Sequence, residues 1–219
     1  MNTSLIKLSE NQIEFLFNFT RKKFVHWYDL QLEIVDHLAS CIEEKMTIDK
    51  NLSFEDALEQ VYKDFGIFGF HKIVQEKEVQ LIKTSKTKWL IELKQLLNFP
   101  FVILIILLAY LTYSLASFLK QDQLYYYFLI CYIPFTLLYT LIIYRDRKLR
   151  ERLLVLQSST MSYSYHFLLD YAMPFYVHTM SVVSFTIILT VAIVIKIVSF
   201  KLYFKIRNEA KILYPSVFA

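Results

Sequence analysis

Residues 101–119 read FVILIILLAYLTYSLASFL, nineteen residues without one charged side chain. Water solvates such a helix poorly, whereas a bilayer core accepts about 20 apolar residues in helical form. The run begins just past a change of character near residue 97. Residues 1–97 carry 13 Lys and Arg against 15 Asp and Glu, and residues 98–219 carry 11 against 5. The net charge therefore swings from −2 to +6. The apolar excess that lifts the chain to 56% hydrophobic sits almost wholly in the second part. The predicted fold is all-α: a small cytosolic helical bundle with a juxtamembrane helix over 1–97, then a four-helix transmembrane domain over 98–219.

Glycine supports a helical chain. Gly66 and Gly69 are the two glycines present, and an all-β domain or a phosphate-cradling loop normally needs more, because tight turns require positive φ. The first 30 residues hold neither an apolar h-region nor a cleavage-site pattern, so no secretory signal is expected. Cys41 and Cys131 fall one in each part. A disulfide would have to join a soluble helix to a membrane span, so both are expected as reduced, buried thiols.

Four spans fit the second part, at about 99–119, 124–144, 159–177 and 180–198. The third is the weakest, since its polar residues also suit a re-entrant or interfacial segment. Lys196 lies close enough to the end of the fourth to snorkel toward headgroups. Lys83, Lys86, Lys88 and Lys94 precede the first span, RDRKLRER follows the second, and Lys201, Lys205, Arg207 and Lys211 follow the fourth. Lys120 stands alone on the opposite side. The positive-inside rule then predicts a multi-pass membrane protein with both termini cytoplasmic. Trp89, the triplet Tyr125, Tyr126 and Tyr127, and Tyr144 fall at the interface levels where amphipathic rings settle.

In the first part, Ser9 and Gln12 form a capping-box pattern before a helix with Ile13, Leu16, Phe17 and Phe24 on one face. A second helix over about 29–46 turns Leu32, Val35, Leu38, Ala39 and Ile42 inward. A third, capped by Ser53, buries Phe54, Ala57, Leu58, Val61 and Phe65 and ends on Gly66 as a left-handed cap. A fourth starts near residue 70, uses Ile73, Val74, Leu81 and Ile82, and runs on toward the first span with a bend near Pro100.

The run WYDLQLEIVDHLASCIEE, followed by FEDALEQVYKDFGIFGFHKI, resembles uncharacterised multi-span membrane proteins common in the Bacteroidetes. Their amino-terminal helical region is similar to the HAAS signalling domain, found in bacterial membrane proteins whose genes neighbour PadR-type regulators. The resemblance covers roughly residues 8–82 and rests on helix order with Gln31, Glu33, Asp36, His37 and Phe65-Gly66-Ile67. It implies a membrane signalling or regulatory accessory protein whose cytosolic bundle binds a protein partner, rather than an enzyme. No catalytic residue and no cofactor come with it.

Three constellations carry possible chemistry. Glu33, Asp36 and His37 lie within about one turn. Glu33 and His37 share a face, but two donors are too few for a structural metal site and no cysteine ligand is expected nearby, so the expectation is a hydrogen-bonded surface pair or a partner surface, and no metal. In the third span Ser162, His166 and Asp170 repeat every four residues, with Tyr163 beside them and His178 two turns on. Ionisable groups at bilayer depth often mark function. The alternatives are an interhelical polar clamp, or an enzyme or transporter component using His166 and Asp170. Arg145, Arg147, Lys148, Arg150 and Arg152 suit orientation and lipid-headgroup contact, so membrane lipid is an expected partner. A homo-oligomer is an alternative to a separate protein partner. Nucleic acid is not expected, because the first part is net acidic and has no basic stripe.

Overall fold

The computed structural model describes residues 6–66, 68–161, 176 and 179–219. All the elements it defines are helices: α1 Glu10–Lys22, α2 Tyr28–Ile48, α3 Phe54–Asp64, α4 His71–Leu96, α5 Phe101–Ser117, α6 Gln121–Arg145, α7 Arg147–Arg152, α8 Leu154–Met161, α9 Val182–Leu213 and α10 Pro215–Phe218. The chain divides into two compact units. One is Met1–Gln80 with Leu149–Val155, and the other is Leu81–Lys148 with Leu156–Ala219. The division falls inside α4, between Gln80 and Leu81.

In the first unit the predicted caps form. The Ser9 hydroxyl accepts the Gln12 N–H, and the Gln12 side chain accepts the Ser9 N–H at 2.8 Å. The Ser53 hydroxyl accepts the Asp56 N–H at 3.1 Å. Gly66 follows α3 at φ 72°, as a left-handed terminator should. Periodic apolar positions then close one core: Leu16 of α1; Leu30, Ile34, Val35, Leu38 and Ile42 of α2; Phe54, Ala57, Leu58 and Val61 of α3. Phe70 completes it, with Phe19, Tyr62 and Phe65 edge-on around its ring. Gln31 is buried within this core, and its amide donates to the Val25 carbonyl at 2.6 Å, so the polar group is satisfied.

Three inward assignments change, and Phe65, half-buried just past the end of α3, is one of them. Phe24 is 79% exposed, because α1 stops at Lys22 and Phe24 occupies the left-handed position after it at φ 67°. The Val25 N–H donates back to Thr20 and the Phe24 N–H to Arg21, each at 3.1 Å, which is the Schellman pattern. Leu32 is half-buried, and Leu30 and Ile34 take its place in the core.

In the second unit α5, α6 and α9 pack around Ala116, Leu124, Phe128, Tyr132, Phe185, Leu189, Ala192 and Ile193. At one end the Gln121 amide donates to the Met180 carbonyl at 2.8 Å, and at the other Asp146 meets Tyr203 and Arg207. So α6 and α9 run in the same direction. The outer faces remain aliphatic: Leu104, Ile106, Leu107 and Leu111 of α5, and Ile130, Leu137, Leu138 and Leu141 of α6 are all exposed. Among the described residues two helices, α6 with 25 residues and α9 with 32, are long and apolar enough to cross a membrane. Helix α5 has 17 residues, about 26 Å of rise, and joins α4 through an 80° bend at the break before it. Counted as one span, that bent pair makes three. Pro100, which has no N–H to donate back along the chain, stands at this break. The third span of the sequence reading lies mostly outside the described residues.

Candidate functional site

Helix α9 continues well past its apolar stretch, and this continuation carries Lys201, Lys205, Arg207 and Glu209, which pair with charged residues of α4 and with Asp146. Glu92 of α4 is only 2% exposed, and its two oxygens receive Lys201 and Lys205, each at 2.7 Å. Lys201, Lys205 and Glu209 recur every four residues, so one face of α9 presents all three. Lys88 reaches Glu209 at 2.8 Å, and the Trp89 indole donates to the Ser199 hydroxyl at 3.2 Å. Hydrogen bonds from Lys201 and then Lys205 hold the Glu92 carboxyl below the usual carboxylate range, against the opposing effect of burial.

A second stripe of α9 meets α6. Asp146 is buried and accepts from Arg207 Nε at 2.7 Å and from the Tyr203 hydroxyl at 2.9 Å. Its other oxygen lies 3.6 Å from Arg145 Nε, so two arginines share its charge. Lys196 does not snorkel. It is 3% exposed, with its ammonium 5.4 Å from the centre of the Tyr132 ring and 5.8 Å from that of Tyr139, because those rings face α9 where the ammonium sits.

The segment after α6 has a partner inside the first unit. Both carboxylate oxygens of Asp29 accept backbone N–H groups at the start of α8, from Leu154 and Val155, each at 2.9 Å. This is an N-cap supplied from a residue 125 positions away in the chain. Burial pushes the Asp29 carboxyl above its ordinary range, and the Leu154 and Val155 N–H groups pull the other way without reversing it. Arg145, Arg147, Lys148 and Arg152 are exposed and Arg150 is half-buried.

All three residues of the predicted partner surface are exposed. Glu33 forms an ion pair with Lys77 at 2.6 Å. His37 lines a groove of about 450 Å³ with Cys41, Glu44, Lys45, Ile48, Val61, Asp64 and Phe65. Cys41 Sγ lies 4.0 Å from His37 Nε2, a pairing the sequence reading missed although the i, i+4 spacing is written in the chain. Cys41 and Cys131 are both free thiols, half-buried rather than fully buried. Among the described residues no group of three or more His, Cys, Asp and Glu side chains could hold a metal ion. Ser162, Tyr163, His166, Asp170 and His178 lie outside the described residues.

No protein-family model matches this chain, and no curated protein or solved structure matches it.

Proposed function

We propose that this chain is a signalling or regulatory accessory protein of the bacterial inner membrane, whose amino-terminal helical unit binds a protein partner. The aliphatic outer faces of α5 and α6 support hydrocarbon as their solvent, since contiguous exposed apolar surface of that extent is rare in water. The observation that carries the reading is the grip of Asp29 on Leu154 and Val155. Through it, a segment that follows the second span is built into the same compact unit as residues 1–80. A chain leaving this unit at Gln80 and rejoining it at Leu149 crosses any bilayer an even number of times, and α5 and α6 supply two crossings.

The pairing of Lys201 and Lys205 with Glu92 supports the same side for the charged end of α9. Parity then favours four spans, with the weak one at about 159–177. Both termini face the cytoplasm in this arrangement, as the Lys and Arg distribution requires. A shift in the span helices would act on the partner-binding unit through the segment that Asp29 holds.

Cross-linking of the full-length protein in native membranes tests the proposal. A recurrent protein captured through residues 6–80 is the expected result. Absence of any such partner, together with lipid or solute turnover by the purified protein that Asp29→Ala leaves intact, would overturn it. For the topology, a cysteine placed at Gln121 should react with an impermeant maleimide added outside intact cells, and Cys41 should not.

A further inference from the structure

The wall of the α2–α3 groove carries a thiol and an imidazole one helical turn apart, with Cys41 Sγ 4.0 Å from His37 Nε2. Metal–sulfur and metal–nitrogen bonds of about 2.3 and 2.0–2.1 Å fit into that gap with an S–metal–N angle of about 135°. At these lengths, which are those of zinc, the angle falls between the trigonal and linear arrangements of d10 cations, and the shorter bonds of a two-coordinate ion open it toward linear. We propose that His37 and Cys41 bind one soft monovalent d10 cation of the Cu(I) class.

The donor set excludes the commoner metal. Zinc takes three or four protein ligands, and the described residues offer no third His, Cys, Asp or Glu in a metal-holding group. A thiolate and a neutral imidazole are the soft and borderline donors that select Cu(I). The step also balances: the cation replaces the thiol proton, one positive charge enters as one proton leaves, and the site's net charge stays as it was. Glu44 and Asp64 line the same groove and give it a cation-attracting field that Lys45 offsets only in part. The Phe65 ring stands edge-on to His37 at 6.2 Å and screens one side from water.

The test is a titration of reduced full-length protein in detergent with Ag(I), a redox-inert stand-in for Cu(I). Retained silver is measured after gel filtration, and maleimide labelling of each cysteine is read by mass spectrometry. One equivalent should block labelling of Cys41 in both the parent protein and Cys131→Ser, and Cys41→Ser should retain none. His37→Gln alters an exposed position, so its fold should survive, which circular dichroism checks. It should weaken binding at least about tenfold, the scale on which even the outer partners of a metal ligand act. Cu(I) delivered from a chromogenic chelator should rank the variants in the same order. Unchanged affinity in His37→Gln, silver shared equally between Cys41 and Cys131, or no retained silver would each overturn the proposal, and none of these bears on partner binding by the unit.

Discussion

Phe24 shows how a single position can oppose its own fold. Positive φ costs an L-residue roughly 1–2 kcal/mol, and the exposed ring has little burial to offset it. Glycine would relieve that strain while adding roughly 0.5–1 kcal/mol of unfolded-chain freedom. Phe24→Gly should therefore stabilise the first unit by about 0.5–1 kcal/mol, read as a rise in its melting temperature. Gly69 is the converse. Its φ is 49°, and an added β-carbon would lie 2.5 Å from the Tyr62 hydroxyl oxygen, inside a cluster of rings. Gly69→Ala should destabilise by about 1–3 kcal/mol. Asp29 belongs to this scale too. Its folded carboxyl titrates above the ordinary 3.8, so the folded state binds that proton more tightly than the unfolded one. Stability should fall as pH rises from about 3.8 through the raised folded value, and Asp29→Asn should remove that slope.

At the scale of elements, two helix pairings decide the second unit. Helix α5 presents Thr112 and Ala116 as its buried positions, and small residues there let α9 approach closely. Ala116→Leu should force the pair apart at a cost of about 1–3 kcal/mol, seen as a lower midpoint in detergent-mediated unfolding. The α4–α9 contact depends on Glu92. Removing this buried carboxylate breaks two ion pairs, yet Lys201 and Lys205 are half-exposed and can turn to water. Glu92→Gln should thus cost about 1–2 kcal/mol, less than the loss of one partner of a fully buried pair. Either lysine alone replaced by Gln should cost under about 1 kcal/mol. The pH sign is opposite to that of Asp29. The depressed Glu92 value gives a contribution that is complete above about 4.5 and is lost as pH falls through the folded value.

For the whole molecule, the decisive arrangement is that residues 149–155 belong with residues 1–80. If Asp29 maintains it, hydrogen–deuterium exchange should show Leu154 and Val155 amides protected in the parent protein, exposed in Asp29→Ala and partly protected in Asp29→Asn, which keeps one acceptor oxygen. Much of the rest could be read from the chain itself. Capping residues, 3.6-residue periodicity and uncharged runs are local chemistry, so the helix order, the Ser9 and Ser53 caps, Gly66 and the apolar character of α5, α6 and α9 followed from residue types and spacing. Burial of charge did not. Glu92, Asp146 and Lys196 look like ordinary surface or end-of-span residues in sequence, because their partners lie on α9, or in the case of Lys196 on α6, dozens of residues away. The same holds for Asp29, whose role depends on α8 arriving within hydrogen-bond reach. Sequence determined which segments are helical and which solvent each prefers, since those are short-range properties. Only the tertiary structure decided which charges meet, because an ion pair depends on distances that packing sets.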